Sequence, residues 1–225
     1  MISRKEVDSV RIITISREFG SGGRELGKRL AEIMGFDYYD REIITSIADS
    51  SGLDANYVEN ALESGIWQRV PLTFHNSFAS KAVFQASHIN LLSEQTKVIE
   101  GIAKAGRDCV IVGRKADVLL AKENPFTIFV CADLEAKVRR CMERAPENEQ
   151  LTRKELEQNI RRVDKNRAQT HEILTGSKWG QGSTYHLTVN TSSWSLKKLA
   201  PAVAEIATRW FEQREEQTEQ KSPEA

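Results

Sequence analysis

What this sequence has little of narrows its function before any motif is considered. Cysteine is scarce: Cys109, Cys131 and Cys141 are the only three, and their spacing makes neither a disulfide framework nor a metal or redox motif. The first two sit in apolar, strand-like runs, where a thiol acts as a small reduced packing residue. Long apolar runs are missing too; none approaches the ~20 residues that span a bilayer. The opening MISRKEVDSV has no signal-peptide core, so the expected compartment is the cytoplasm. Net charge is absent: Lys+Arg and Asp+Glu both number 32, which gives no overall field to draw nucleic acid or a membrane surface. His75 and His88 lie 13 residues apart without further ligands, unlike the usual zinc spacings. No Ser, His or Cys constellation for nucleophilic catalysis is present, and neither an internal repeat nor an interdomain linker is visible.

What is present is an ordinary globular composition, 40% hydrophobic and 28% charged over 225 residues, enough for one α/β domain with a substantial core. The chain is organised around residues 12–30, IITISREFGSGGRELGKRL. A β-branched run, Ile12 to Ile15, is followed by Gly20, Gly22 and Gly23 and then by Leu26, Leu30 and Ile33 at helical spacing. Strand, glycine turn, helix is the layout of a phosphate-binding loop, in which backbone N–H groups and the positive end of a helix meet an anion. Against G-x-x-x-x-G-K-[ST], the frame runs from Glu18 to Glu25: Glu18 replaces the first glycine, Gly23 is the second, Arg24 stands for the lysine and Glu25 for the magnesium-binding hydroxyl. Gly20, Ser21, Gly22, Gly23, Arg24 and Glu25 are therefore the candidate phosphate-binding residues. Arg24 could grip β- and γ-phosphate oxygens as a fork, and Glu25 could approach Mg2+. An ordinary turn between a core strand and a helix is the bland alternative.

Further along, a short strand is expected over 36–39 and a helix over 42–50 with Asp40 as its N-cap, then another helix over 53–62. Residues 64–81 show no clear period, and a loop of that length often carries function. Residues 82–105 fit one long helix. Cys109 to Val112 reads as a central strand buried on both faces and ends at Gly113-Arg114-Lys115. A strand over 126–131, a helix ending near Met142, a long polar helix over 153–174, a second glycine loop at 176–182, a strand over 187–189 and a closing helix over 196–213 follow, with a polar tail expected to fray after Glu215. Alternating strands and helices predict an α/β fold with a mostly parallel sheet covered on both faces. Ligands of such sheets collect beyond the carboxyl ends of the strands, so residues 17–24, Gly113-Arg114 and Asp40 are expected to converge on one crevice.

Three segments, 13–44, 109–120 and 163–192, in this order and spread over roughly residues 10 to 205, resemble the cytidylate kinase-like family, P-loop proteins of the nucleoside monophosphate kinase type. The resemblance implies a three-layer P-loop kinase fold with an acceptor-binding helical insertion (about 40–105), a lid (about 140–182) and a polar tail over 214–225. It implies ATP as phosphoryl donor, Mg2+, and a nucleoside monophosphate acceptor, CMP or dCMP first, with no nucleic-acid or membrane partner. Arg114 matches the arginine of the family's Gly-Arg-Asp segment, while Lys115 replaces its acid, so preference for CMP over UMP should weaken. Asp164 and Arg167 match the second half of the family's Arg-Asp-x-x-Asp-x-x-Arg lid, implying a sugar-hydroxyl acceptor and a phosphate clamp; Lys137 and Arg140 resemble its other basic positions, and Arg161 is displaced by one. Phosphoryl transfer needs charge neutralisation more than covalent chemistry. Arg24, Arg140 and Arg162 are thus the candidate catalytic cations, and Asp40, Arg114, Asp164 and Arg167 the candidate acceptor-binding residues. Asp164 could equally be a helical i,i+3 partner of Arg167, and the arginines solvated surface charges. A nucleotide-binding regulatory protein of the same fold, or a kinase for another small acceptor, are the competing functions.

Overall fold

The computed structural model describes residues 10–53, 55, 58, 78–145 and 151–220. Five parallel strands form its centre: β1 (Ile12–Arg17), β2 (Asp37–Tyr39), β3 (Cys109–Val112), β4 (Phe126–Cys131) and β5 (Leu187–Asn190), in the order β2-β3-β1-β4-β5. β1 pairs with β3 from Ile12↔Cys109 and with β4 from Ile13↔Phe126. It therefore lies in the middle, and all six of its residues are buried.

The period of two along β1 divides the core. Ile13 and Ile15 face helix α1 (Gly23–Met34) and the closing helix α7 (Leu196–Gln220), packing with Leu26, Leu30, Val203 and Phe211. Ile12 faces the other way, with Ile43 and Ile47 of α2 (Arg41–Ser51) and Leu91 and Ile99 of α3 (Phe78–Lys104). Each fully buried Leu or Ile contributes roughly 1.5–3 kcal/mol of transfer free energy, so the two helix layers follow from the alternation in β1 and its neighbours. A short α4 (Ala116–Leu119) follows β3, and α5 (Leu134–Arg144) and α6 (Arg153–Thr175) follow β4. Leu156 and Ile160 of α6 pack with Val138 of α5, with Phe19 of the glycine loop against them.

The expected elements are present with small changes of boundary: the second strand is shorter than expected, the long third helix starts at Phe78, and α7 continues to Gln220 where fraying was expected after Glu215. The expected helix over 53–62, the segment 64–81 with His75, and the side chain of His88 fall wholly or largely outside the described residues. Among the described residues no helix is long and apolar enough to cross a membrane.

Candidate active site

The glycine loop joins β1 to α1. Gly22, the N-cap of α1, has φ 86°, a turn that favours glycine, and a side chain there would also meet the Leu196 Cδ1 methyl at 2.6 Å. Its neighbour Ser21 is fully buried, and its carbonyl accepts from the Thr191 hydroxyl at 2.6 Å and from Arg140 Nη1 at 3.2 Å. Arg140 also donates to Thr191 Oγ1 at 2.9 Å and to the Thr191 carbonyl. Arg140 thus ties the loop to the end of β5 from behind, a positioning arrangement in place of the expected contact with a moving phosphoryl.

A second tie involves three charges. Lys137 Nζ lies 2.7 Å from Glu18 Oε2 and 2.9 Å from Asp164 Oδ2, with the lysine side chain 8% exposed. Asp164 Oδ1 accepts the Phe19 amide at 2.6 Å, and Glu18 accepts the Ala132 amide at 3.0 Å. Burial alone would lower the Lys137 pKa; the hydrogen bonds to Glu18 and Asp164 outweigh it and raise it. Glu18, the residue that spoils the first glycine of the pattern, is thereby explained: its carboxylate anchors the loop to β4 and α5. Asp164 is engaged on the loop amide and Lys137, away from the sugar-hydroxyl role that the resemblance implied.

The side where the acceptor was expected lies where the strand order reverses, between the carboxyl ends of the parallel strands β1 and β3. A pocket of about 80 Å³ is lined there by Arg17, Arg114, Lys115, Asp117 and Arg167, with Ser16, Gln95 and residues of α6 and the 176–182 loop. Arg17 is buried and its guanidinium fills the space of the missing Gly113 side chain, since a Cβ there would fall 1.4 Å from Nη1. Burial first, then Arg167, push the Arg17 pKa down to about 9, against the opposing pull of Asp40. Arg167 Nη1 donates to the Arg17 carbonyl at 3.1 Å. Gly113, Arg114 and Lys115 have φ of 76°, 54° and 60° in succession. Two non-glycine residues in the left-handed region cost roughly 1–2 kcal/mol each, a strain that turns both basic residues toward the pocket. Gln95 holds the turn by donating to the Arg114 carbonyl at 3.1 Å. Burial, then Arg114, lower the Lys115 pKa to about 8. Ser16 donates to Asp117 at 3.0 Å.

Asp40 joins the two sides. Its side chain makes no N-cap bond to α2, contrary to expectation; it lies 3.6 Å from Arg17 Nη2 and 2.6 Å from Arg24 Nε. The Asp40 amide instead donates to Glu42 at 3.0 Å. Arg24, expected on donor phosphates, points in this state toward Asp40. Glu25 is paired with Arg29 at 2.9 Å and with Arg144, engaged on the flank of α1 and not turned into the loop. Arg162 is exposed and donates to Asn159; it joins neither site. Among the described residues no group of three His, Cys, Asp or Glu is placed to hold a metal.

The model of a cytidylate kinase-like family matches residues 12–193. The chain belongs to the cytidylate kinase-like family. No curated protein sequence matches this family member significantly. Among solved structures, an uncharacterized protein from Eubacterium ventriosum superposes with a TM-score of 0.62 at 23% identity, covering 88% of this chain and 98% of that one. A shikimate kinase from Bacteroides thetaiotaomicron gives 0.53 at 14% (87% and 97%), and a shikimate kinase from Acinetobacter baumannii in complex with shikimate 0.51 at 14% (90% and 95%). The fold is that of P-loop kinases.

Of the residues picked from sequence, the structure brings Asp40, Arg114 and Arg167 to one crevice with Arg24 at its edge, and places Asp164 and Arg140 behind the loop. Asp117 and Thr191 did not stand out as site residues; Arg17 was expected at the crevice only as the start of the stretch 17–24, and Lys115 only as the replacement for an acid. A charged residue closing a run as apolar as Ile12–Ile15 is the signal that marks Arg17; Lys115 is marked by following a strand-end glycine.

Proposed function

We propose that this family member is an ATP-dependent phosphotransferase that phosphorylates a small anionic acceptor held at the ends of β1 and β3. One observation carries the reading: a helix-capped glycine loop and a cationic pocket flank a shared carboxylate, Asp40. The loop fits a triphosphate, because the amino end of α1 and its first amides favour an anion. Mg2+ would be held chiefly by the nucleotide's phosphates and water, as is usual for this ion, since Glu25 is engaged elsewhere; it would neutralise charge on the β- and γ-oxygens. The acceptor oxygen forms its bond to the γ-phosphorus as the bond to the β–γ bridging oxygen breaks and ADP leaves. Arg17, Arg114 and Arg167 hold the acceptor's anion, and Arg140, Lys137 and Asp164 keep the loop in shape.

Nucleoside monophosphates, CMP and dCMP first, are the acceptors put forward by family membership. A second reading, another small acceptor, is favoured by Lys115, which offers a cation where an acid would take up a cytosine amino group. A coupled ADP-release assay with ATP and Mg2+ across CMP, dCMP, UMP, AMP, GMP and non-nucleotide phosphates tests both. Turnover with no acceptor in the panel above the rate without acceptor counts against the kinase reading.

A further inference from the structure

Part of the pocket wall is aromatic, and it comes from the second glycine loop, which the phosphate chemistry leaves unused. Trp179 of that loop and His171 of α6 line the same pocket as Arg17, Arg114 and Arg167. Lys178-Trp179-Gly180-Gln181 forms a tight turn, closed by the Gln181 amide donating to the Lys178 carbonyl at 3.2 Å. Gly180, the third residue, has φ 74°; a φ near +80° at that position is the mark of a type II turn and favours glycine. A Cβ on Gly180 would fall 2.8 Å from the Phe129 ring, so the turn lies directly on β4. The Trp179 ring meets Phe129 edge-on, with centroids 5.1 Å apart. Just before the turn, Ser177 Oγ lies 3.3 Å from His171 Nε2 and 2.8 Å from Thr175 Oγ1. The loop thus holds its tryptophan in place before any ligand arrives.

Anchoring the loop does not by itself account for where this indole sits. Tyr185 packs on the same Phe129 at 5.1 Å and is buried. Trp179 is only partly buried and borders the pocket. A tryptophan supplies a large, rigid, weakly hydrated face at little cost in conformational entropy, and a wall already fixed in position has no ordering cost left to meet on binding. Such a face suits a planar ring. Base–aromatic stacking raises affinity by roughly 5- to 150-fold per base, which is enough to separate a nucleotide from a phosphate that carries no ring.

We propose that Trp179 is the platform on which the acceptor's planar base stacks, and so the residue that selects a nucleoside monophosphate over ring-free phosphates. The inference deepens the kinase reading and rests on it for the word acceptor; the binding claim stands apart from it.

The test is calorimetric titration of the whole protein without ATP. CMP, UMP and AMP are set against ribose 5-phosphate, which keeps the sugar and the phosphate and lacks the base. The expected result is at least one of the three nucleotides binding ten-fold or more tighter than ribose 5-phosphate. Trp179→Leu should abolish that advantage and leave ribose 5-phosphate affinity within two-fold, while Trp179→Phe, which keeps an aromatic face, should retain most of it; thermal melting of each variant verifies folding. Tryptophan emission gives a readout that does not depend on the leucine variant. The preferred nucleotide should change the emission of the parent, and the change should be missing in Trp179→Phe, although Trp67, Trp194 and Trp210 remain. Nucleotides binding no tighter than ribose 5-phosphate, an advantage that survives Trp179→Leu, an equal loss of both ligands in Trp179→Leu, or an emission change as large in Trp179→Phe as in the parent would each overturn the proposal. The two readings fail separately. Phosphoryl transfer to a monophosphate whose binding ignores Trp179→Leu leaves a kinase and removes the platform; ring-dependent binding lost in Trp179→Leu, without transfer to any acceptor, does the reverse.

Discussion

Replacing Lys137 by Met is expected to destabilise the protein strongly. Lys137 stands between Glu18 and Asp164, whose side chains are 24% and 16% exposed. The carboxylates approach the same ammonium at 2.7 and 2.9 Å, so they stand no more than about 5.6 Å apart. Without the ammonium they repel by about 3 kcal/mol at an effective dielectric constant of ~20. Removing one partner from a buried charge cluster costs roughly 3–5 kcal/mol, and each kcal/mol shifts Tm by about 2–4 °C in a domain of this size. A fall in Tm of about 6–20 °C at pH 7 is expected, measured by calorimetry or near-UV dichroism. Adding Asp164→Asn to Lys137→Met should recover part of the loss, a non-additivity that a double-mutant cycle reads directly. A Lys137→Met protein with Tm within 2 °C of the parent, or a double mutant whose loss is the sum of the two single losses, would refute the three-charge tie.

The remaining predictions concern the two sides of the crevice. Lys115→Met should stabilise the ligand-free protein by about 1–2 kcal/mol at pH 7. The folded pKa lies near 8 against 10.5, so the penalty is complete below pH 8, fades as pH rises between these values and is gone above 10.5; melting curves at pH 7 and 10.5 check the sign. Gly113→Ala places a methyl on the Arg17 guanidinium and a side chain at φ 76°, and should cost about 1–3 kcal/mol while raising the acceptor's KM about ten-fold or more; unchanged acceptor kinetics would show that Arg17 does not touch it. Glu25→Ser should leave the magnesium dependence of turnover unaltered, because Glu25 serves Arg29 and Arg144; a shifted magnesium titration would return the carboxylate to the metal.

The fold was legible because it depends on runs that read in one way only. Cys109-Val110-Ile111-Val112 and Phe126 to Cys131 are bounded by turn residues and too apolar for anything but a buried strand. The glycine loop was legible as a loop, since Gly20, Gly22 and Gly23 between a strand and a helix admit few other roles. The directions of its side chains were not. Whether Arg24 turns to donor phosphates or to Asp40 is decided by a residue 16 positions away, and whether Asp164 faces a ligand or Phe19 is decided by contact across 145 positions. Asp40 carried a helix-cap signal that tertiary pairing overrode: two arginines offer a carboxylate more than a backbone amide does. Lys137 looked like one basic residue among several on α5, and nothing local distinguishes a cation that faces a loop from one that faces water.

Asp40 has a consequence for the order of events in catalysis. One carboxylate is divided between Arg24, beside the proposed donor loop, and Arg17, inside the proposed acceptor pocket. A donor phosphate that draws Arg24 away leaves the whole of Asp40 to Arg17, whose charge is then less available to an acceptor anion. The reverse holds for an acceptor that draws Arg17 away. Such a shared counter-ion makes the two ligands mutually antagonistic, and the antagonism must be equal in both directions because it is a single coupling free energy. An acceptor affinity that weakens several-fold in the presence of a non-hydrolysable ATP analogue, and an analogue affinity that weakens by the same factor with acceptor bound, are the paired measurements of it. In Asp40→Asn both factors should fall toward one.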